Sequence, residues 1–498
     1  MPSKLPTDDL RHVPDASAPA PRQMTGTRLI HYGPAWDAAL EATSATIEGP
    51  VAVLVCHGMG QQVRYETISS VAEAILTEAH KQNPQPDAVS PVEVHLCEEN
   101  NSLLARAEIQ WTDTAQQTHN VHVYEAYWAP LTEGRVSYWD TVKFLLSAAC
   151  NGLLYSRPFS QRCFERWMFG GPKPMRIQRA TFPALLCALG FVLLQVAIIG
   201  FVLNGIAQQY TTFLAQPSPS ISLHGLLFAP GWLHAWLMLF YGLLRWLGPF
   251  LPGHSDLIHS PWFSQKWWHA FALLAAWIAA ITEALVARYF IVEYVGDVAA
   301  YVSPYKDSKF DEIRKKIQAV GLNVGKVIYG FGPGTVNVPD YRKVVVVGHS
   351  LGSVLAYDTL NALINQDNVS ARTEQRGVVA RTRALVTFGS PLDKTAFIFR
   401  MQASSDQDWI REQLAASVQP LIVSYALYRP LTFEWVNIWS PMDIISGELN
   451  YYDDPGFPAN RPPCVVNMRD PQARKPLLAH VQYWNDALLR EQLYRLVS

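Results

Sequence analysis

Charge is scarce in this chain. Only 16% of its 498 residues are Asp, Glu, Lys or Arg, where an ordinary soluble chain carries roughly 25%. Hydrophobic residues make up 49%, with 16 Trp and 21 Phe among them, a load that excludes a disordered chain and argues against a wholly soluble one. Neither sign dominates: 40 basic residues face 42 acidic ones and the net charge is -2. That leaves no overall basic field to hold a nucleic acid. The six cysteines (Cys56, Cys97, Cys150, Cys163, Cys187, Cys464) form no close CxxC pair, so neither a zinc ribbon nor a disulfide framework is indicated. The first 26 residues are rich in Pro, Ala, Asp and Arg and lack an apolar h-region. They read as a flexible tail and not as a Sec signal peptide. There is no HExxH, no EF-hand loop and no clustered Cys/His ligand set; GFGPGTV, from Gly330 to Val336, lacks the GK[ST] ending of a phosphate loop and reads as an ordinary turn.

The length allows two or three units of about 150 residues, or one α/β core with a large insertion. Val51 to Cys56 is a short apolar run stopping at His57-Gly58-Met59-Gly60, the pattern of a buried parallel strand that ends in a glycine loop. A helix follows from Tyr65 to His80, then strands at Val92 to Leu96 and Val121 to Tyr127, the latter bounded by Pro130. The alternation resumes with an amphipathic helix over Asp307 to Val320 and a strand core of four valines, Val344 to Val347. Further strands are expected at Ala384 to Phe388, Trp435 to Trp439 and Val465 to Met468, and helices at Leu351 to Leu363 and Asp408 to Ser417. The resulting division is a tail (1–26), the first part of the core (27–134), a helical insertion (135–300) and the second part of the core (301–498).

The insertion is where the apolar load concentrates. Phe182 to Leu203 runs for 22 residues with Gln195 as its one strongly polar member, enough to span a bilayer. Gly231 to Leu251 and Trp267 to Val286 are interrupted by His234, Arg245, His269 and Glu283, and Phe144 to Tyr155 is short. A sheet continuous across the insertion lies on one side of a membrane, so the number of crossings must be even. Lys173, Arg176 and Arg179 precede the first block, while Ile206 to Gly231 carries no charge. By the positive-inside rule this gives two crossings with the core cytoplasmic, at an inner or plasma membrane. Four crossings, a monotopic interfacial anchor and a buried helical cap stay open.

Gly348-His349-Ser350-Leu351-Gly352 follows the four valines and precedes a helical run. Strand, sharp glycine turn and helix are the setting of a nucleophile elbow, with Ser350 Oγ exposed and the helix dipole aimed at developing negative charge. Through HGMG after the first strand, GHSLG at 348–352 and FGSPLD at 388–393, the chain resembles the lipase and esterase branch of the α/β-hydrolase superfamily. The matching parts cover about half the chain, and the insertion departs from compact members.

The resemblance implies a mostly parallel sheet flanked by helices, with a catalytic serine, acid and histidine in that chain order. Ser350 is then the nucleophile, Asp443 in WVNIWSPMD the acid and His480 in LLAHVQYW the base. Asp393, after FGSPL, is the alternative acid, and Asp358 a poorer one inside the helix after Ser350. The backbone N–H groups of Leu351 and Met59 are the expected oxyanion donors. His57, Gly58, Gly60, Gly348, His349 and Gly352 support the site, while Gln61, Gln62 and Arg64 either bind a head group or fix the loop. No metal or cofactor is needed for acyl transfer. An apolar insertion beside such a site fits a lipid or long-chain acyl ester as substrate. Small soluble esters or thioesters, and a scaffold without catalysis, are the other readings.

Overall fold

The computed structural model describes residues 49–59, 63–85, 88–99, 102–132, 301, 308–331, 338–371, 374–393, 395, 421, 433–443, 445–449, 452, 465–475 and 478–498. The N-terminal tail, all four apolar blocks of the insertion, Gly60, Gln61, Gln62 and the helix expected at Asp408 to Ser417 lie outside these residues. Among the described residues no helix is long and apolar enough to cross a membrane.

The frame is an eight-stranded sheet: β1 (Val51–Cys56), β2 (Glu93–Glu99), β3 (Ser102–Thr112), β4 (Thr118–Ala126), β5 (Lys343–His349), β6 (Thr382–Phe388), β7 (Glu434–Trp439) and β8 (Val465–Arg469). Their order across the sheet is β2-β3-β4-β1-β5-β6-β7-β8. Only β3 runs against the others; β4, β1, β5, β6, β7 and β8 are parallel neighbours. Cys56 pairs with Ala126 on one side and Gly348 on the other, and His349 pairs with Phe388. The carboxyl ends of β1, β5 and β6 therefore reach one edge together, the usual place for a site in an open α/β sheet.

The strand valines explain why this sheet is central. Alternate side chains point to opposite faces, and every residue from Val344 to Val347 is 0% exposed, which only a strand covered on both faces requires. Val345 and Val347 pack with Val51, Val53 and Val55 beneath α1 (Glu66–Gln82) and the C-terminal helix. Val344 and Val346 pack with Ala52 and Leu54 on the other face, against α2 (Ser308–Tyr329) and α3 (Gly352–Val369). A four-residue helix α4 (Val378–Arg381) leads into β6; α5 (Ala479–Gln482) and α6 (Ala487–Val497) close the chain. The result is a three-layer α/β/α core.

Several elements depart from the sequence expectation: α4, α5 and α6 have no counterpart among the expected helices, and two further departures, at β3 and α2, have a packing reason. The strand β3 was not anticipated: Arg106 and Glu108 sit within it and give it the look of a polar loop. Ala107, Ile109 and Trp111 alternate with them into the core, and Arg106 Nε donates to Glu108 Oε1 at 2.5 Å, so the polar face is internally satisfied. Helix α2 runs nine residues past Val320, through Gly321 and Gly325. A methyl group at Gly321 would lie 2.3 Å from Thr359 Oγ1, and one at Gly325 2.7 Å from Leu363 Cδ1. The glycines let α2 lie close against α3, and this packing overrides their poor helix propensity.

Candidate active site

The elbow is built at the end of β5. Ser350 has φ 53, a left-handed conformation that a non-glycine residue adopts only where surrounding contacts impose it. Its N–H donates to Phe388 O at 3.0 Å, tying the turn to the end of β6. The helix α3 begins two residues later, so the Leu351 N–H lies at a helix start, where the first N–H groups have no acceptor within the helix. Gly352 is where that helix crosses β1: a methyl group there would lie 2.2 Å from Cys56 O and 2.3 Å from His57 O. At Gly348 it would meet Ser353 Cα at 2.5 Å.

Three side chains meet at this elbow. His480 Nε2 is 2.8 Å from Ser350 Oγ, and His480 Nδ1 is 2.9 Å from Asp443 Oδ2. Because a carboxylate accepts, Nδ1 carries the ring proton and Nε2 offers its lone pair to the serine hydroxyl. Ser350 and Asp443 are each 1% exposed and His480 9%. The imidazole is thus set to take the proton of Ser350 Oγ, with a buried carboxylate fixing its tautomer.

Asp443 is held by more than the histidine. Ser440, just after β7, accepts the Asp443 N–H in a turn (3.1 Å) and donates its own hydroxyl to Ala473 O at 2.6 Å. Asp443 Oδ1 accepts the Ile445 N–H at 2.9 Å, and Oδ2 also accepts the Tyr483 hydroxyl at 3.1 Å. Tyr483 is fully buried and in turn accepts from Ser446 Oγ at 3.0 Å. Burial alone would push the Asp443 carboxyl up; the hydrogen bond and charge of His480, with the Ile445 and Tyr483 donors, outweigh it and hold the group down to about 2. The alternative acid Asp393 follows β6, and the bond from His480 Nδ1 goes to Asp443 instead. Asp358 is engaged elsewhere, by the Tyr301 hydroxyl at 2.6 Å and Gln318 at 2.9 Å.

Two predictions arise here. The folded Asp443 titrates below its ordinary 3.8, so the folded state binds fewer protons than the unfolded one between these values. Its contribution, about 2–3 kcal/mol, is complete above pH 4 and lost as pH falls towards 2. Urea denaturation of the wild type and Asp443→Asn across pH 2–6 should show a stability difference that contracts only below pH 4. Second, Tyr483→Phe removes one of the donors to Asp443 and the hydrogen bond between Tyr483 and Ser446, a loss of about 1–2 kcal/mol. The urea midpoint should fall accordingly, and kcat should drop about tenfold as the His480 orienter loosens.

The remaining expected residues surround the elbow. His349 Nε2–H donates to His480 O at 3.1 Å, and its ring stacks on Phe388 at 4.9 Å. Burial and the neighbouring His480 hold it neutral, at about 3. It therefore pins the backbone of His480 and stays off the Ser350–His480–Asp443 line. His57 Nε2 accepts the Trp128 N–H at 2.9 Å, so its proton is on Nδ1, which donates to Gly58 O at 2.8 Å. Its ring stacks on Trp128 at 4.8 Å, and burial lowers it to about 4. The chain has no cis peptide bond among the described residues, and in a trans peptide C=O and N–H point opposite ways. Holding Gly58 O on the His57 ring therefore turns the Met59 N–H away from it. Gly58 abuts Ser350: a methyl group there would lie 2.9 Å from Ser350 Cβ and 3.0 Å from His349 Nδ1. Met59 is buried beside it. Arg64 lies over the rings of Tyr65 and Tyr127, 5.0 and 6.0 Å from their centroids.

Sequence reasoning missed Tyr483. Its signal is the spacing: three residues after His480, it lies on the same side of a helical turn, so one short segment supplies two donors to one carboxylate. Comparisons of the chain with protein-family models, with curated proteins and with solved structures found no match.

Proposed function

We propose that the chain is a serine hydrolase with the α/β-hydrolase fold that cleaves carboxylic esters of lipids or other long-chain acyl compounds. The observation that carries this reading is the hydrogen-bonded line from Ser350 Oγ through His480 to Asp443. Ser350 Oγ attacks the ester carbonyl carbon while His480 Nε2 takes its proton, and Asp443 stabilises the imidazolium. The negative oxygen of the tetrahedral intermediate accepts from the N–H groups of Leu351 and Met59. Collapse breaks the bond to the alcohol, which leaves with the proton from His480. Water then attacks the acyl-serine with His480 as base, releasing the carboxylic acid and restoring Ser350.

The substrate class rests on composition. The apolar blocks between 135 and 300 lie between the oxyanion loop and the nucleophile in the chain, an insertion suited to a membrane surface with the core on its cytoplasmic side. The test is release of carboxylic acid from esters of graded chain length, in monomeric form and in mixed micelles of phospholipid or acylglycerol. Rates that rise with chain length and at the micelle surface support the lipid reading. Turnover confined to short soluble esters or thioesters moves the assignment to a soluble-ester hydrolase, and no turnover with no labelling of Ser350 by a fluorophosphonate overturns it.

A further inference from the structure

A second cluster of chemically capable side chains sits on the antiparallel side of the sheet. Glu93 on β2 pairs across the strands with Glu108 on β3, and Glu108 pairs with His122 on β4. Cross-strand partners share a face of the sheet, and so does His95, two residues beyond Glu93. The donor atoms of Glu93, His95 and Glu108 all lie within 4.8 Å of one another. His95 Nε2 is 3.1 Å from Glu93 Oε2 and 3.6 Å from Glu108 Oε2; His122 Nε2 is 3.5 Å from the same Glu108 oxygen.

The buried histidine is the independent observation. His122 is 4% exposed, and its Nε2 has no hydrogen-bond partner, a costly state for a buried polar atom. Its other nitrogen is engaged: Nδ1 is 3.0 Å from the Tyr341 hydroxyl, itself 2.6 Å from that of Tyr124. Anchoring one ring nitrogen on an outer partner while the other points at a carboxylate, here that of Glu108, is how a metal-ligating histidine is oriented. Glu108 is oriented as well, since Oε1 is occupied by Arg106 and Oε2 faces the histidines.

We propose that Glu93, His95, Glu108 and His122 bind one divalent transition-metal ion of the zinc class. Two imidazoles and two carboxylates are the nitrogen and oxygen ligands such an ion takes, and the two negative charges match its own. Four ligands about 2.1 Å from a tetrahedral ion lie roughly 3.4 Å apart, close to the 3.1–3.6 Å separations of the three close pairs. Glu93 and His95 have exposed side chains, 71% and 45%, free to swing onto an ion that His122 and Glu108 present from below. The site is separate from the serine: His122 pairs with Ala52, four residues from the Cys56 end of β1 that borders the elbow, about 13 Å along the strand. Its effect is to staple the edge strand β2 and its neighbour β3 to β4. Short-range sequence spacing does not show it, because the ligands come from three strands.

The experiment uses the full-length chain, stripped with chelator and titrated with ZnCl2 by calorimetry, with thermal unfolding followed in parallel. The expected result is one zinc per chain and a raised unfolding midpoint, unchanged in Ser350→Ala. The double variant Glu93→Gln/His95→Gln alters exposed side chains only and should weaken zinc binding at least about tenfold; His122→Gln should do the same where it folds. No saturable zinc binding by the wild type, or equal affinity and midpoint shift in the Glu93/His95 double variant, overturns the proposal and leaves an ion-paired cluster.

Discussion

Ser350→Ala is expected to lower ester turnover by about a millionfold in kcat, with the fold intact. Alanine keeps the backbone options of serine closely enough to hold φ 53 at the elbow, and the turn is anchored independently by the Ser350 N–H to Phe388 O. What disappears is the atom proposed to form the acyl bond. His480 loses a hydrogen-bond partner but keeps Asp443, so the cost in stability is about 1 kcal/mol. The residual rate above the uncatalysed reaction, about a thousandfold, measures what the oxyanion donors and binding supply alone. The measurement is single-turnover and steady-state hydrolysis of an activated ester, paired with fluorophosphonate labelling read by intact mass. A variant that keeps more than about a hundredth of the wild-type rate, or still takes up the label at the same site, places the nucleophile elsewhere.

Much of this site was legible in the sequence because its parts announce themselves locally. Four valines, a glycine-flanked serine and a helical run define a strand, a turn and a helix between Val344 and Leu363, and the structure brings His480 and Asp443 to that serine. Asp443 is preferred to Asp393 through the resemblance, and in the structure the bond from His480 goes to Asp443, which the turn at Ser440 and the Ile445 and Tyr483 donors hold in place. The missed features share a cause, which is that distant contacts set them. β3 hides because Arg106 and Glu108 satisfy each other across a period of two, and α2 outruns its expected end because Gly321 and Gly325 make room for α3. The Glu93, His95, Glu108 and His122 cluster exists only once three strands are in register.

Asp443→Asn is expected to lower kcat about ten-thousandfold while leaving KM within a few-fold. The reason lies in the count of donors. The carboxylate accepts from His480 Nδ1–H, Tyr483 O–H and Ile445 N–H, whereas an asparagine side chain offers one acceptor oxygen and an NH2 that must itself donate. With the oxygen held on the fixed Ile445 N–H, the NH2 faces His480. The imidazole can meet it only by accepting at Nδ1, which moves the ring proton to Nε2. Nε2–H then points at Ser350 Oγ as a donor and cannot take the serine proton. Tyr483 escapes the conflict by turning its hydroxyl to Ser446 Oγ, 3.0 Å away, so the fold survives and the defect is one of tautomer. Asp393→Asn is the matched control and should change kcat by less than about threefold, because the bond from His480 goes to Asp443. Steady-state kinetics of the two variants side by side settle the assignment: a large loss in Asp393→Asn with a small one in Asp443→Asn would transfer the acid to the end of β6, and comparable small losses would mean that His480 needs no acid partner.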